Sequence, residues 1–384
     1  MYEIFDIEYL LPWGKINNWA EVSSEAFWHY SVLFSLHFFL LCALIKNRSF
    51  ERASVQLAYW QKNVYCRWKN LSLLLLVVFS GAVLFLQLSG GFAAWFSDYS
   101  NTYLNNKAGL GVLNIFLIWM AHFIAFIFGY LKYVLKKKVG FTLAFCGFSI
   151  LFMCMFLQGF KSRLPLILFF FFAPKLLTTE LKITRGIVIF LLLIAMFLIG
   201  MFFRSEGFYN TPRLGVEYLL SYFNTIFLHD TVLKEYSSGQ IQSMFMPFNK
   251  MLEIFGTIVP REKYDLSVFL TQQYFPNDWF QDGATQQWPL ETDLYLTMPF
   301  TALWVIPALM YCGAFFLIFR LINKGTGFFL FVYAAEIVRI ISVFRSGYLT
   351  WDIWVNIILY FLMYFFWKML FYMQRVPKTT ETAD

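Results

Sequence analysis

The sequence predicts an all-α protein: a polytopic membrane bundle of about 9 to 11 spanning helices with one large, outward-facing helical loop. Three observations predict it. Hydrophobic residues make up 59% of the 384 and charged residues 14%, with 49 Phe and a mean hydropathy of +0.60, far from the balance of a soluble domain. Several uncharged apolar runs approach or exceed the roughly 18 residues that suggest a bilayer crossing. One long polar interval, from Arg204 to about Asp293, separates the run ending at Phe203 from the run beginning near Leu296. A loop of that length usually carries function.

Taken in order, the segment up to Glu25 is acidic on balance and holds Trp13 and Trp19, which suits the outer interface where indoles settle. Glu3, Asp6 and Glu8 stand where a cleavable signal has a basic region, so the first span is expected to stay in the mature protein. That span, about 27–45, is followed by Lys46, Arg48, Arg52, Lys62, Arg67 and Lys69 against Glu51 alone. This is the strongest inside marker in the chain. Trp60, Val64 and Trp68 recur there at helical spacing among basic residues, which predicts a helix anchored on an anionic inner leaflet.

Further spans are expected at about 71–88, 108–130, 139–158, 164–177, 186–203, 296–319, 328–344 and 351–372. The third ends inside at Lys132, Lys136, Lys137 and Lys138; the eighth carries Glu336 and Arg339. The fifth is short for a full crossing and follows a turn from Gly159 to Pro165. Nine spans, with the N-terminus out and the C-terminus in, satisfy the positive-inside rule at every short loop. The chain shows no internal repeat, and 1–384 is read as one transmembrane domain with 204–295 as its cap.

The net charge of +7 sits in short loops, where topology explains it, so no nucleic-acid partner is expected. Five cysteines without CxxC spacing give no disulfide framework and no zinc site. There is no Walker sequence, dinucleotide fingerprint or HExxH, and no cofactor or metal is expected.

The long loop keeps large apolar residues at helical spacing: Val216, Leu219, Leu220, Phe223 and Phe227; then Phe248, Met251, Leu252 and Phe255; then Leu266, Phe269 and Leu270. Such stripes predict a folded cap packed on the bundle. Beside them stand Asn277, Trp279, Asp282, Gln286, Gln287 and Trp288, a mixture of amides, carboxylates and aromatic plates that suits sugar rings. Its alternative is an interfacial turn with an aromatic belt. Five arginines, Arg163, Arg204, Arg213, Arg261 and Arg345, fall on the outer face, where the positive-inside rule gives them no reason to be. Arg339 lies within a span, where it is costly unless it meets a partner such as Glu336 or faces a cavity. Arginines emerging from several spans can converge on phosphate oxygens through their planar forks. His29, His37 and His122 are read as packed or hydrogen-bonded helix residues.

At these residues the chain resembles the O-antigen polymerases of the Wzy type. The likeness is one of layout: a Phe- and Leu-rich bundle, Lys-Ser-Arg-Leu-Pro at 161–165, a large outward loop containing Tyr-Leu-Leu-Ser-Tyr-Phe-Asn, and Glu-Thr-Asp-Leu-Tyr-Leu at 291–296 before a span. Such polymerases carry, in outward loops, an arginine followed by ten residues and a glycine; Arg204 and Gly215 have that spacing. A second copy is missing, because Pro174 and Asn356 stand eleven residues after Arg163 and Arg345.

The resemblance implies an enzyme of the bacterial inner membrane that joins undecaprenyl-diphosphate-linked repeat units on the periplasmic face. A chain-length regulator and a flippase are its implied partners, besides the lipid bilayer. Diphosphate and sugar binding fall to Arg163, Arg204, Arg213, Arg339, Arg345, Trp279, Asp282 and Trp288, and acceptor activation to Glu206, His229, Glu291 and Asp293. The rivals are an O-antigen ligase, a GT-C glycosyltransferase using a lipid monophosphate sugar with Asp98 as its acid, and a lipid-linked glycan flippase.

Overall fold

Helices dominate the computed structural model, which describes residues 22–46, 50–97, 110–178, 225–241, 259–281, 285–286, 288–297, 327–346 and 352–373, with isolated positions between them. In chain order they are α1 (Ser24–Lys46), α2 (Phe50–Asn63), α3 (Trp68–Leu88), α4 (Gly91–Ser97), α5 (Gly111–Gly129), α6 (Phe141–Gln158), α7 (Phe160–Thr178), α8 (Ile226–Glu235), α9 (Leu266–Tyr274), α10 (Pro276–Phe280), α11 (Leu290–Thr297), α12 (Phe328–Ser346) and α13 (Asp352–Leu370). Two short strands, β1 (Val64–Cys66) and β2 (Phe371–Met373), pair antiparallel with Tyr65 opposite Tyr372.

Three of these elements are long and apolar enough to cross a membrane: α3, α5 with the π-helical turn Tyr130–Val134 that extends it, and α6. Their exposure follows from having lipid as solvent. On α3 the buried residues Leu71, Leu74, Leu75, Val78, Ala82 and Phe85 recur every three to four positions, while Leu73, Leu76, Phe79 and Leu84 on the other side stay exposed. A helix apolar all round with only one face buried has its other face for acyl chains. By contrast α5 is buried without a break from Met120 to Gly129, which makes it the central helix of its unit.

The chain packs as two units. One holds 49–209, 320–334 and 359–384; the other holds 1–48, 210–319 and 335–358. The core of the former is aromatic: Phe126 meets Phe331 at 5.4 Å and Tyr130 meets Trp367 at 4.9 Å between ring centroids. Helices α5 and α7 lie so close that a Cβ on Gly129 would strike the Phe171 carbonyl. Small residues that admit such approach are how membrane helices pack when no hydrophobic force drives them together. In the other unit the core gathers Val232, Met246, Leu266, Leu270, Trp288 and Leu296.

Six of the predicted spans coincide with described helices: α1, α3, α5, α6, α12 and α13. The sixth and most of the seventh lie outside the described residues, as do Val216, Leu219, Leu220 and Phe223 of the cap. Three expectations need correction. The fifth span belongs to a 19-residue helix that runs through Pro165 and Pro174, while Lys161, Arg163 and Lys175 keep it outside the elements apolar enough to cross. Inside a bundle, neighbouring helices and local adjustment satisfy the backbone groups that proline frees. The outward turn accordingly shrinks to Gly159, at φ 92°, and Lys-Ser-Arg-Leu-Pro is helical.

Trp60, Val64 and Trp68 do not share one interfacial helix, since α2 gives way to β1 at Val64. Trp60 is instead buried against Tyr130. The stripe containing Phe248 and Leu252 is not packed at those positions, since both side chains are exposed.

Candidate functional site

Three elements of one unit, the start of α1, α8 and α11, bring together a line of polar side chains. Ser23 opens α1: its Oγ accepts the Ala26 N–H at 3.2 Å, an N-cap arrangement, and its own N–H donates to Asp230 Oδ1 at 2.9 Å. That second bond ties the first turn of α1 to α8. On α11 the Pro289 carbonyl accepts from the Thr292 and Asp293 amides, which starts the helix directly after a residue that cannot donate.

The result is a chain of contacts. His29 Nδ1 lies 2.9 Å from His229 Nε2, and His229 Nδ1 lies 3.1 Å from Thr292 Oγ1. At the far end His29 Nε2 faces Glu25 Oε1 at 3.8 Å. The Tyr295 ring covers both imidazoles, with centroids about 6 Å away. His229 and Thr292 are fully enclosed, whereas the Glu25 side chain is 60% exposed. With Glu25 as carboxylate, one protonation pattern satisfies every contact. Thr292 O–H donates to His229 Nδ1, His229 Nε2–H to His29 Nδ1, and His29 Nε2–H points at Glu25.

The surrounding electrostatics keep the enclosed part uncharged. Burial, and then His29, lower His229 to about 3 despite the opposing pull of Asp230, so it is neutral at pH 7. Glu291 is wholly buried and neither carboxyl oxygen has a hydrogen-bond partner among the described residues. Burial pushes it up to about 8, with only its own backbone N–H pulling the other way. Burial also acts to raise Asp230, but Lys234 at 2.7 Å and the Ser23 contacts outweigh it and hold the carboxyl below its ordinary value.

These shifts fix a pH dependence of stability. Between about 4.5 and 6.5 the unfolded chain holds a proton on His229 and the folded chain holds one on Glu291, so the two contributions cancel. As pH rises from there to about 8, only the folded state keeps a proton, and stability falls. As pH drops from 4.5 towards 3, the unfolded state takes up the extra proton, and stability falls again. Asp230, whose folded value is depressed, adds to that acid loss below its ordinary 3.8. Unfolding temperatures of the detergent-solubilised protein should therefore fall as pH rises from 6.5 to 8. Glu291→Gln should remove most of the alkaline decline; an unaltered decline in that variant counts against a buried neutral carboxyl.

Of the residues expected to activate an acceptor, His229, Glu291 and Asp293 are thus brought into one buried neighbourhood, and Glu206 lies outside the described residues. All three are enclosed, and the exposed member of the line is Glu25. Sequence reasoning passed over Glu25, Thr292 and Asp230, and read His29 as an ordinary helix residue. The only local signal was Glu25 four residues before His29, one helical turn away.

The expected binding residues divide similarly. Trp288 is corrected from an exposed plate to a core residue, stacked near Tyr274 at 5.5 Å and Phe275 at 6.3 Å, because an indole is too large to leave a core it can fill. Trp279 is partly buried with the Arg261 guanidinium 5.4 Å from its centroid. Arg261 also reaches Asp265 Oδ2 through Nε and Nη2, both at 3.2 Å, while Asp265 Oδ1 caps α9 through the Ser267 and Val268 amides. That explains Arg261 as a fold-holding residue. Arg339 pairs with Glu336 at 3.7 Å, the intrahelical partner its spacing offered. Arg163 lies in the other unit, on α7, within electrostatic range of His122. Arg345 is on α12; Arg204, Arg213 and Asp282 lie outside the described residues, as does Asp98 of the GT-C alternative.

No family model matches the chain, and searches among characterised proteins and among solved structures find no match.

Proposed function

We propose that this membrane protein is a glycan polymerase that transfers an oligosaccharide from a polyprenyl diphosphate carrier to a hydroxyl of a second lipid-linked unit. The observation that carries the reading is the exposed Glu25 carboxylate backed by two imidazoles in hydrogen-bond contact, at the boundary between the first span and the preceding polar segment. Transfer from a diphosphate needs no further energy input, since the leaving group stores it. It needs a base for the acceptor and cations for the departing charge.

In the proposed step the acceptor oxygen attacks the anomeric carbon, and the bond from that carbon to the diphosphate oxygen breaks with its electron pair leaving on the diphosphate. The acceptor proton goes to Glu25. His29 and His229 are positioning residues: held to each other and to Thr292, they keep an N–H aimed at the Glu25 carboxylate. Trp28, three residues beyond Glu25 on α1 and 66% exposed, offers the apolar face of a sugar the plate that Trp288 does not. For the departing diphosphate the resemblance implies Arg163, Arg204, Arg213, Arg339 and Arg345; of these Arg339 already shares its charge with Glu336, and Arg204 is the one to test first. The charge asymmetry of the short loops supports an outward, periplasmic site in a bacterial inner membrane.

Deletion of the gene, followed by gel analysis of surface polysaccharide, tests the reading. Single-repeat glycan should persist on its acceptor while longer chains disappear. Loss of single and long chains together would point to a ligase, and unchanged chains would remove the reading altogether.

A further inference from the structure

The unit formed by 49–209, 320–334 and 359–384 contains a feature that the proposed transfer reaction does not use. At the end of α5 a cavity of about 300 Å³ opens between β1, the π turn, Gly327 and the α13–β2 junction. Its walls are mainly apolar, from Val64, Trp367 and Phe371. One wall atom is different. The Tyr130 hydroxyl is 0% exposed as a residue and has no hydrogen-bond partner among the described residues. A buried hydroxyl left unpaired is destabilising, so an acceptor that enters the cavity is stabilised there.

Around the opening stand three cations. The β1–β2 ladder stacks Tyr65 on its partner Tyr372 with centroids 5.6 Å apart. The Arg67 guanidinium carbon lies 5.1 Å from the Tyr372 ring and Lys137 Nζ 5.4 Å from the Tyr65 ring. Lys368, which lines the cavity, sits 5.4 Å from the Tyr364 ring. Among the described residues no salt bridge engages any of the three. Cation–π contacts hold a charge in place without neutralising it. The ladder therefore presents fixed positive charge beside an apolar cavity with a hydroxyl donor at its base.

From this arrangement we propose that the cavity is a binding site for one anionic phospholipid. Its phosphate meets Arg67, Lys137 and Lys368, its glycerol-ester region enters the cavity, and an ester carbonyl accepts the Tyr130 O–H. The volume lies at the small end of the range for ligand pockets, roughly 300–1,000 Å³, which suits the ester region of a lipid whose chains continue into the bilayer. The cation-rich end is also the one that loop charge assigns to the cytoplasmic leaflet, where anionic headgroups attract juxtamembrane basic residues.

The test uses the full-length protein purified in a neutral detergent, with phosphatidylglycerol, phosphatidylcholine and inorganic phosphate as probes. Native mass spectrometry should show one retained phosphatidylglycerol, and a raised unfolding temperature should accompany it. Phosphatidylcholine and phosphate should do neither. Tyr130→Phe keeps the ring and removes only the donor, so it should weaken retention by roughly 3- to 10-fold. Lys368→Gln is an exposed change that should fold normally and should weaken it further when combined with Lys137→Gln. Equal retention of the two lipids, stabilisation by phosphate alone, or affinity unchanged in the variants overturns the proposal.

Discussion

Glu25→Gln is expected to lower polymer formation by roughly 10²–10⁴-fold, the range lost with a general base, at an unchanged level of protein in the membrane. The side chain is 60% exposed, so an isosteric amide there should move stability by no more than about 0.5 kcal/mol. Glu291→Gln makes the informative contrast. Its carboxyl is neutral in the folded protein below about pH 8, and an amide resembles a neutral carboxyl in size and polarity, so activity near pH 7 should stay within a few-fold of wild type. If Glu291 is instead the base, this order reverses and activity should climb with pH to a plateau near 8.

The imidazoles give an intermediate case, because they act through Glu25. His29→Gln and His229→Gln should each cost less than Glu25→Gln and should shift the pH–rate profile, which a merely structural role would leave unmoved. Long-chain glycan at normal amounts from Glu25→Gln would sink the reading of Glu25 as the base.

The second large effect is expected at Arg204, which opens the long polar interval and precedes Gly215 by ten intervening residues. If its planar fork grips two diphosphate oxygens, lysine restores the charge without the geometry. Arg204→Lys should then fall much nearer Arg204→Ala than wild type. Loss of one such contact to a developing charge costs on the order of 2–4 kcal/mol in the transition state, or roughly 30- to 1000-fold in rate. An arginine that only marks the membrane boundary behaves differently, since lysine snorkels equally well and should be close to neutral. Chain-length distributions measured beside membrane protein levels separate the two, and full-length glycan from Arg204→Lys rules out the fork.

What the sequence determined by itself was everything that depends on local period and on charge. Apolar runs marked α1, α3, α5, α6, α12 and α13, of which α12 carries an acid and a base within it, Glu336 and Arg339. Glu336 three residues before Arg339 marked an ion pair within one turn of chain. It also drew attention to His229, Glu291 and Asp293 as candidates for acceptor activation. Periodicity tells which face of a helix is buried, but not which helix covers it. For that reason only the tertiary structure joined His29 to His229 across 200 residues, and only it paired Tyr65 with Tyr372. It alone could place Trp288 in a core and bury Glu291 while leaving Glu25 exposed. Burial is a property of neighbours brought by the fold, and it decides both the protonation state of a carboxyl and whether any acceptor can touch it.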